Sequence, residues 1–340
     1  MKNLTVLFLS CLCWLGANAT SWRINSNPSV SADFATFQEA HDAASPGDTI
    51  YVEGAGYDYH YGEVVIDKRL IVIGPGYFLL ENDSTQAHKV SARFRSITIN
   101  PPAAGTELYG LTIYWGTSGY KGITINASNV VIARNYFESS WDRIYFGEYN
   151  IQNIAIMQNF GQSITGASGF SADNVIITNN YFNSFIEDVS SGVITNNVVK
   201  NKITASYSQI INNILPNSTL YPLSGSDYGM QNYVAYNLVS GSLPPNPPGP
   251  GNVSNVDMNF VFIDFNGNLD YSTDGKWQLD PDGPAAGAGE EGVDCGMFGG
   301  LTPYVLSGLP PVPRIYEANI PLSGSSVSGL PVTIKVKSQN

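Results

Sequence analysis

"VIITNNYFNSFIEDVSSGVITNNVV", residues 175–199, carries one eight-residue phrase twice. Each copy sets an isoleucine three residues before an asparagine, Ile177 before Asn180 and Ile194 before Asn197, and an apolar residue directly after it, Tyr181 and Val198. The same register extends outward to "VVIARNYF" at Asn135, "IAIMQNFG" at Asn159, "SQIINNIL" at Asn213 and "NYVAYNLV" at Asn237. The intervals between these asparagines are 24, 21, 17, 16 and 24 residues, as expected for coils with a constant core and loops of variable length. A short β-branched strand, a bend at a fixed residue and a return to the same register each turn predict a parallel β-helix, its coils stacked about 4.8 Å apart. Within such a stack Asn135, Asn159, Asn180, Asn197, Asn213 and Asn237 are expected to form a structural ladder, each amide donating to one rung and accepting from another.

The chain around this repeat fits the same class. "TFQEAHDAA", residues 36–44, holds a Thr36-x-x-Glu39 capping box with Phe37, Ala40 and Ala44 on one face, and predicts a short amphipathic helix closing the N-terminal end of the solenoid. His41 lies on that face as a cap residue. The basic start Met1-Lys2, the apolar run "LTVLFLSCLCWLG" and Ala17-Asn18-Ala19 predict a signal peptide over 1–19, hence export to the periplasm, cell surface or medium. Nothing beyond it approaches the roughly 20 apolar residues of a membrane span. Cys295 is the one cysteine left after that cleavage, so no internal disulfide is expected and burial must supply stability. A formal charge of −12 gives no basic footprint for nucleic acid. The expected organisation is an all-β protein: a parallel β-helix with its N-terminal cap over 20–302, and an extended C-terminal β appendage or cap over 303–340.

Three stretches resemble the opening and closing segments of exported bacterial β-helix proteins of the pectin lyase-like superfamily. They are "FATFQEAHDAASPGDTIYV" at 34–52, "LIVIGPGY" at 70–77 and "GNVSNVDMNFVFIDFNGNLDYSTDGKWQLDPDGPAAGAGEEGVDCGMFGG" at 251–300. The chain departs from the family's usual Asp-Pro at Asp257-Met258 and from Ser-Pro at Gly283-Pro284. The resemblance implies the right-handed β-helix, with a substrate groove along the outside of one sheet beside long loops. It does not imply one activity, because the superfamily holds pectate lyases, polygalacturonases, pectin esterases, alginate and chondroitin lyases, tailspikes and proteins of no known activity. The paired-aspartate and Gly-His-Gly motifs of polygalacturonases and the Gln-Asp-Thr motif of pectin esterases have no match here. The histidines, His41, His60 and His88, all precede the repeat.

Candidate site residues come from the decorated stretch "ARNYFESSWDRIYFGEYN", residues 133–150, whose first half is repeat and whose second half is loop. Aligning the strands around Ile144, Ile164, Ile186 and Ile203 with those isoleucines inward turns Arg143, Tyr145, Ser163, Thr165, Phe185, Glu187, Lys202 and Thr204 outward. Arg143 and Lys202 then stand three rungs apart, roughly 14 Å, and Glu187 and Lys202 form a surface ion pair. A glycosidase needs two carboxylates about one bond, and Glu187 alone serves that face. A polysaccharide lyase of the pectate or alginate type needs a base and a cation beside a uronate carboxylate, for which Arg143, Tyr145 and Glu187 are the catalytic candidates. The preferred expectation is non-catalytic: Tyr114, Trp115, Tyr120, Trp141, Tyr145 and Tyr149 stack on sugar faces, so that the loops of 114–149 contact extracellular polysaccharide. The alternatives are the lyase and a structural surface protein without ligand. No metal or cofactor is expected, with calcium as the alternative. "DFNGNLD", 264–270, alternates oxygen ligands like a calcium loop but lacks the glycine and glutamate that such a loop needs, and is expected to be a turn.

Overall fold

The computed structural model describes residues 19–56, 58–114, 122–140, 143–217, 231–243, 249–268, 270–327 and 329–338. Residues 1–18, most of the expected signal peptide, lie outside that set. Among the described residues, parallel strands form three sheets of ten, eight and seven strands, and from Ile71 to Ser206 each coil contributes one strand to each sheet in turn. One coil runs from Val131–Ala133 in the first sheet, through a bend at Arg134 and Asn135, to Tyr136–Phe137 in the second. It then crosses to Ile144–Phe146 in the third sheet and re-enters the first at Ile151–Met157, one rung on. The fold is a right-handed parallel β-helix.

The interior is a column of aliphatic side chains. Ile144, Ile164, Ile186 and Ile203 are partners in register across the third sheet and are fully buried. Each contributes about 1.5–3 kcal/mol through burial. Ser163, expected on the outer face, is 5% exposed instead, because it sits in the corner before the strand, where its carbonyl accepts from Ile144 N–H. The alternation also breaks between Ile186 and Val189, where a bulge puts Glu187 and Asp188 on the outside together. At the N-terminal end Thr36 and Glu39 complete the capping box of the helix Phe37–Ala43. The helix lowers Phe37 onto Phe94, ring centroids 5.8 Å apart, and so covers the first coils. His41 is buried there, its Nε2 accepting from Asp67 N–H at 3.3 Å.

The bends between the first and second sheets have a two-residue grammar. The residue before the ladder asparagine takes a left-handed conformation, with φ of 58° at Arg134, 57° at Gln158, 56° at Asn179, 53° at Asn196 and 58° at Asn212. That twist turns its own side chain outward and the next one, the asparagine, into the core. The inward asparagines are fully buried and linked: each backbone N–H and side-chain amide donates to the Oδ1 of the asparagine one coil later, from Asn135 to Asn237. The series ends on Asn252, which receives from Asn237 N–H at 3.1 Å and Asn237 Nδ2 at 3.0 Å.

The outward residues of the same bends hold a strap. After the last coil, residues 258–268 and 270–309 cover the outside of the second sheet; Asp274 already reaches Asn82 at the N-terminal end, and from Glu290 to Leu309 the strap runs a second time toward the first coils. Asn212 Oδ1 accepts from Glu290 N–H, Asn196 donates to Asp294 O, and Asn179 to Met297 O and Gly299 O. Gln158 donates to Thr302 O and Pro303 O, and Arg134 to Leu309 O. The strap therefore descends one coil for every few of its own residues. Beneath it lies a second apolar layer in which Phe160, Tyr181, Val198, Ile214 and Leu238 meet Met258, Phe262, Trp277, Cys295, Met297 and Tyr304. Burial raises the Cys295 thiol pKa to about 12, so the thiol behaves as a small apolar group. The stretch expected as an appendage or cap, 303–340, divides in two. Tyr304, Ser307, Gly308 and Leu309 are buried against the coils, and the exposed antiparallel hairpin, Arg314–Asn319 with Thr333–Lys337, starts only at 314.

Gly308 marks how closely the strap's end approaches. Its φ is 52°, and a Cβ there would collide with the Tyr77 ring and the Arg134 carbonyl. Gly308→Ala is expected to cost about 1–3 kcal/mol in equilibrium denaturation. A wild-type midpoint would mean that the strap's end is not held there.

Candidate functional site

On the outer face of the second sheet one row of residues runs in register from coil to coil: Arg93, Thr112, Tyr136, Phe160, Tyr181, Val198, Ile214, Leu238. Its apolar part lies under the strap. At the N-terminal end the row turns polar, and Arg93, Thr112 and Tyr136 form the floor of an open cavity of about 310 Å³. The segment 77–81 makes one wall, with Lys89 and Ser91 beside it, and Glu138 stands on the other side.

Arg93 organises this groove. Its Nη2 lies 2.7 Å from Glu138 Oε2, and its guanidinium carbon sits 4.5 Å over the Tyr114 ring, which packs against His60 at 5.5 Å. Tyr136 packs against Tyr77 and Phe78, centroids 5.4 and 4.7 Å away. Burial, with Glu138 and Glu81 nearby, raises the Tyr136 pKa to about 12, which keeps it a neutral hydrogen-bonding phenol. Thr112 is 2% exposed and its hydroxyl oxygen has no hydrogen-bond partner. A buried orphan hydroxyl costs stability unless something fills it, and this one borders an open cavity. Aromatic faces, a guanidinium, a carboxylate and an unsatisfied hydroxyl are groups that grip a polyhydroxylated ring.

The residues proposed from the sequence are only partly assembled. Tyr114 stands beside the groove, its ring against the Arg93 guanidinium, whereas Trp115, Tyr120 and Trp141 lie outside the described residues. Tyr145 belongs to the third sheet, where it pairs with Thr124 and Thr165, and Arg143 directly precedes that strand, Ile144–Phe146. Tyr149, 49% exposed, follows that sheet on the bend back to the first, so it stands at the opposite end of the third-sheet strand from the Tyr114 corner. Of the three catalytic candidates, Glu187 stands apart from Arg143 and Tyr145. Glu187 is two rungs from Tyr145, roughly 10 Å, and its carboxylate is ion-paired with Lys202. Over residues 264–268 the chain turns on itself, with Asn268 N–H donating to Asp264 Oδ1 at 2.8 Å. Arg93, Thr112, Tyr136 and Glu138 were not singled out from the sequence as site residues. "ARF" lacks the asparagine that flags the other coils, and Tyr136 and Glu138 read as the end of a scaffold phrase.

No protein-family model matches the chain, and no curated protein matches it. Among solved structures it is similar to the ORF18 protein of Geobacillus virus E2, with 9% identity and a TM-score of 0.38 over 68% of this chain and 60% of the viral one. It is also similar to the pectin methylesterase of Aspergillus niger in deglycosylated form, with 12% identity and a TM-score of 0.33 over 71% of this chain and 89% of the enzyme.

Proposed function

We propose that the chain is an exported β-helix that binds extracellular polysaccharide in the groove floored by Arg93, Thr112 and Tyr136 and flanked by Tyr114 and Glu138. The observation that carries this is the change in the outer row of the second sheet. Where the strap covers the row it is apolar, and where the strap ends it carries a guanidinium, an orphan hydroxyl and a phenol beside stacked rings. Tyr114 offers its ring to a sugar face, and the Arg93–Glu138 pair supplies donors and acceptors to hydroxyls. Arg143, Tyr145 and Glu187, spread over the third sheet, enter in no catalytic role.

The test is retention of the mature chain in native gels cast with a panel of neutral and acidic polysaccharides, with released reducing or unsaturated ends assayed in parallel. Retention without new ends is expected, and Tyr114→Ala and Glu138→Gln should each weaken it by about tenfold. Retention unchanged in both variants would remove the groove from the proposal. New chain ends would replace binding with catalysis.

A further inference from the structure

A separate cavity of about 980 Å³ opens between the 82–85 segment, the strap and the end of the hairpin. Two nearly buried guanidiniums line it, Arg134 at 8% and Arg314 at 7% exposure. Arg134 donates through Nε to Gln158 Oε1 and through Nη1 to Leu309 O, both at 2.7 Å. Arg314 donates through Nε to Thr85 O at 2.8 Å and through Nη2 to Ser84 O at 3.3 Å, while its Nη1 is buried with no partner. Among the described residues neither guanidinium is ion-paired with a carboxylate. In a chain of net charge −12 that is an unusual use of two cations, because buried charge is costly unless it is compensated. Lys337 adds a third cation from the hairpin, and Asp83, exposed on the rim, is the acidic residue of the lining. The facing wall is apolar, made by Phe298, Tyr304 and Leu306.

We propose that this cavity is a second ligand site, for a small molecule that carries a carboxylate on a ring-sized body. The carboxylate would take the free Nη1 of Arg314 and the field of Arg134 and Lys337, and the body would lie against the Phe298 and Tyr304 wall. A guanidinium edge matches the two oxygens of a carboxylate, which a point charge does not. The site is independent of the polysaccharide groove, which lies on the other side of the 77–85 segment and uses none of these residues.

Titration calorimetry on the mature chain at low ionic strength, with glucuronate, glucose and inorganic phosphate as probes, tests this. Glucuronate should saturate while glucose does not, and phosphate should bind more weakly than glucuronate. Arg314→Lys, which keeps the charge and loses the fork, should weaken glucuronate at least about tenfold. Lys337→Ala, a change at an exposed residue, should weaken it about threefold and serves as the test if Arg314→Lys does not fold. Equal responses to glucose and glucuronate, tighter binding of phosphate, or no saturation would each overturn the site. So would binding that survives both variants but is lost in Tyr114→Ala, which would place the acid in the groove.

Discussion

Asn180→Ala is expected to lower the free energy of unfolding by about 3–5 kcal/mol, a large fraction of the total for a natural domain. Asn180 is fully buried, and its Oδ1 accepts from both the N–H and the side-chain amide of Asn159, each at 2.9 Å. Its own amide donates to Ile156 O, Thr178 O and Asn197 Oδ1, all at 2.9 Å. Alanine takes the partner from two donors on the coil before and from the Ile156 carbonyl in a place that water does not reach, while Thr178 O keeps the Gln158 N–H, at about 1–3 kcal/mol for each group that finds no substitute. Asn252→Ala is the internal comparison. It removes the same chemistry at the half-exposed end of the series, where solvent can replace it, and should cost about 1 kcal/mol. Urea midpoints of the two variants against wild type decide the matter. Equal small shifts would mean that the amides follow the coil and do not hold it.

The second large effect is expected at Trp277, which the strap presses onto the outer row. Its ring lies 4.6 Å from Tyr181, 5.1 Å from Phe262 and 6.0 Å from Phe265, and the residue is 5% exposed. Trp277→Ala should cost about 3–5 kcal/mol and open a cavity over Tyr181 and Phe160. The indole N–H has no hydrogen-bond partner. Trp277→Phe discards only that group and some ring area, and should therefore cost about 1–2 kcal/mol. Denaturation midpoints, with binding of a hydrophobic dye as the second readout, separate the two variants. A Trp277→Ala chain with unchanged midpoint and no added dye binding would show that the strap is not load-sharing with the coils.

The β-helix was legible because its cause is periodic. An isoleucine, a bend and an inward amide must recur wherever one coil rests on another, and six copies survive loops of different length. The strap was not legible, although a trace of it stood in the same phrases. "NYF", "NVV", "NIL" and "NLV" place two apolar residues in succession after the asparagine, as strands covered on both faces do. One faces the interior, as Phe182, Val199 and Leu215 do, and its neighbour faces the strap. The residue before the ladder asparagine looked like variable filler, yet in five of the six copies, Arg134, Gln158, Asn179, Asn196 and Asn212, it is polar and bonds a strap group, Tyr236 being the exception. Asn252 escaped notice for a different reason: Gly249 stands three residues before it where the other copies have a β-branched residue. The groove was hardest to foresee. It depends on where the strap stops, a tertiary fact that leaves no local pattern at Arg93 or Thr112. Of the aromatic residues proposed from composition, Tyr114 reaches it and Tyr149 turns away, since a count of rings does not say which corner of a coil each one occupies.

The strap also changes what kind of object the solenoid is. Coils that touch only their neighbours can peel away one at a time from either end, each loss costing only a local interface. Here the Tyr77 hydroxyl meets that of Tyr304 at 2.7 Å across 227 residues of chain, and Asp274 ties Tyr304 to Ser307 and Asn82 in the same knot. The chain is thus buckled back on itself. Fraying at the first coils must undo contacts made by the last part of the chain, and pulling on the C-terminal end loads the N-terminal coils first. An array built for piecemeal melting becomes one that yields all at once, suited to a setting where mechanical drag and proteases would otherwise work inward from a loose end.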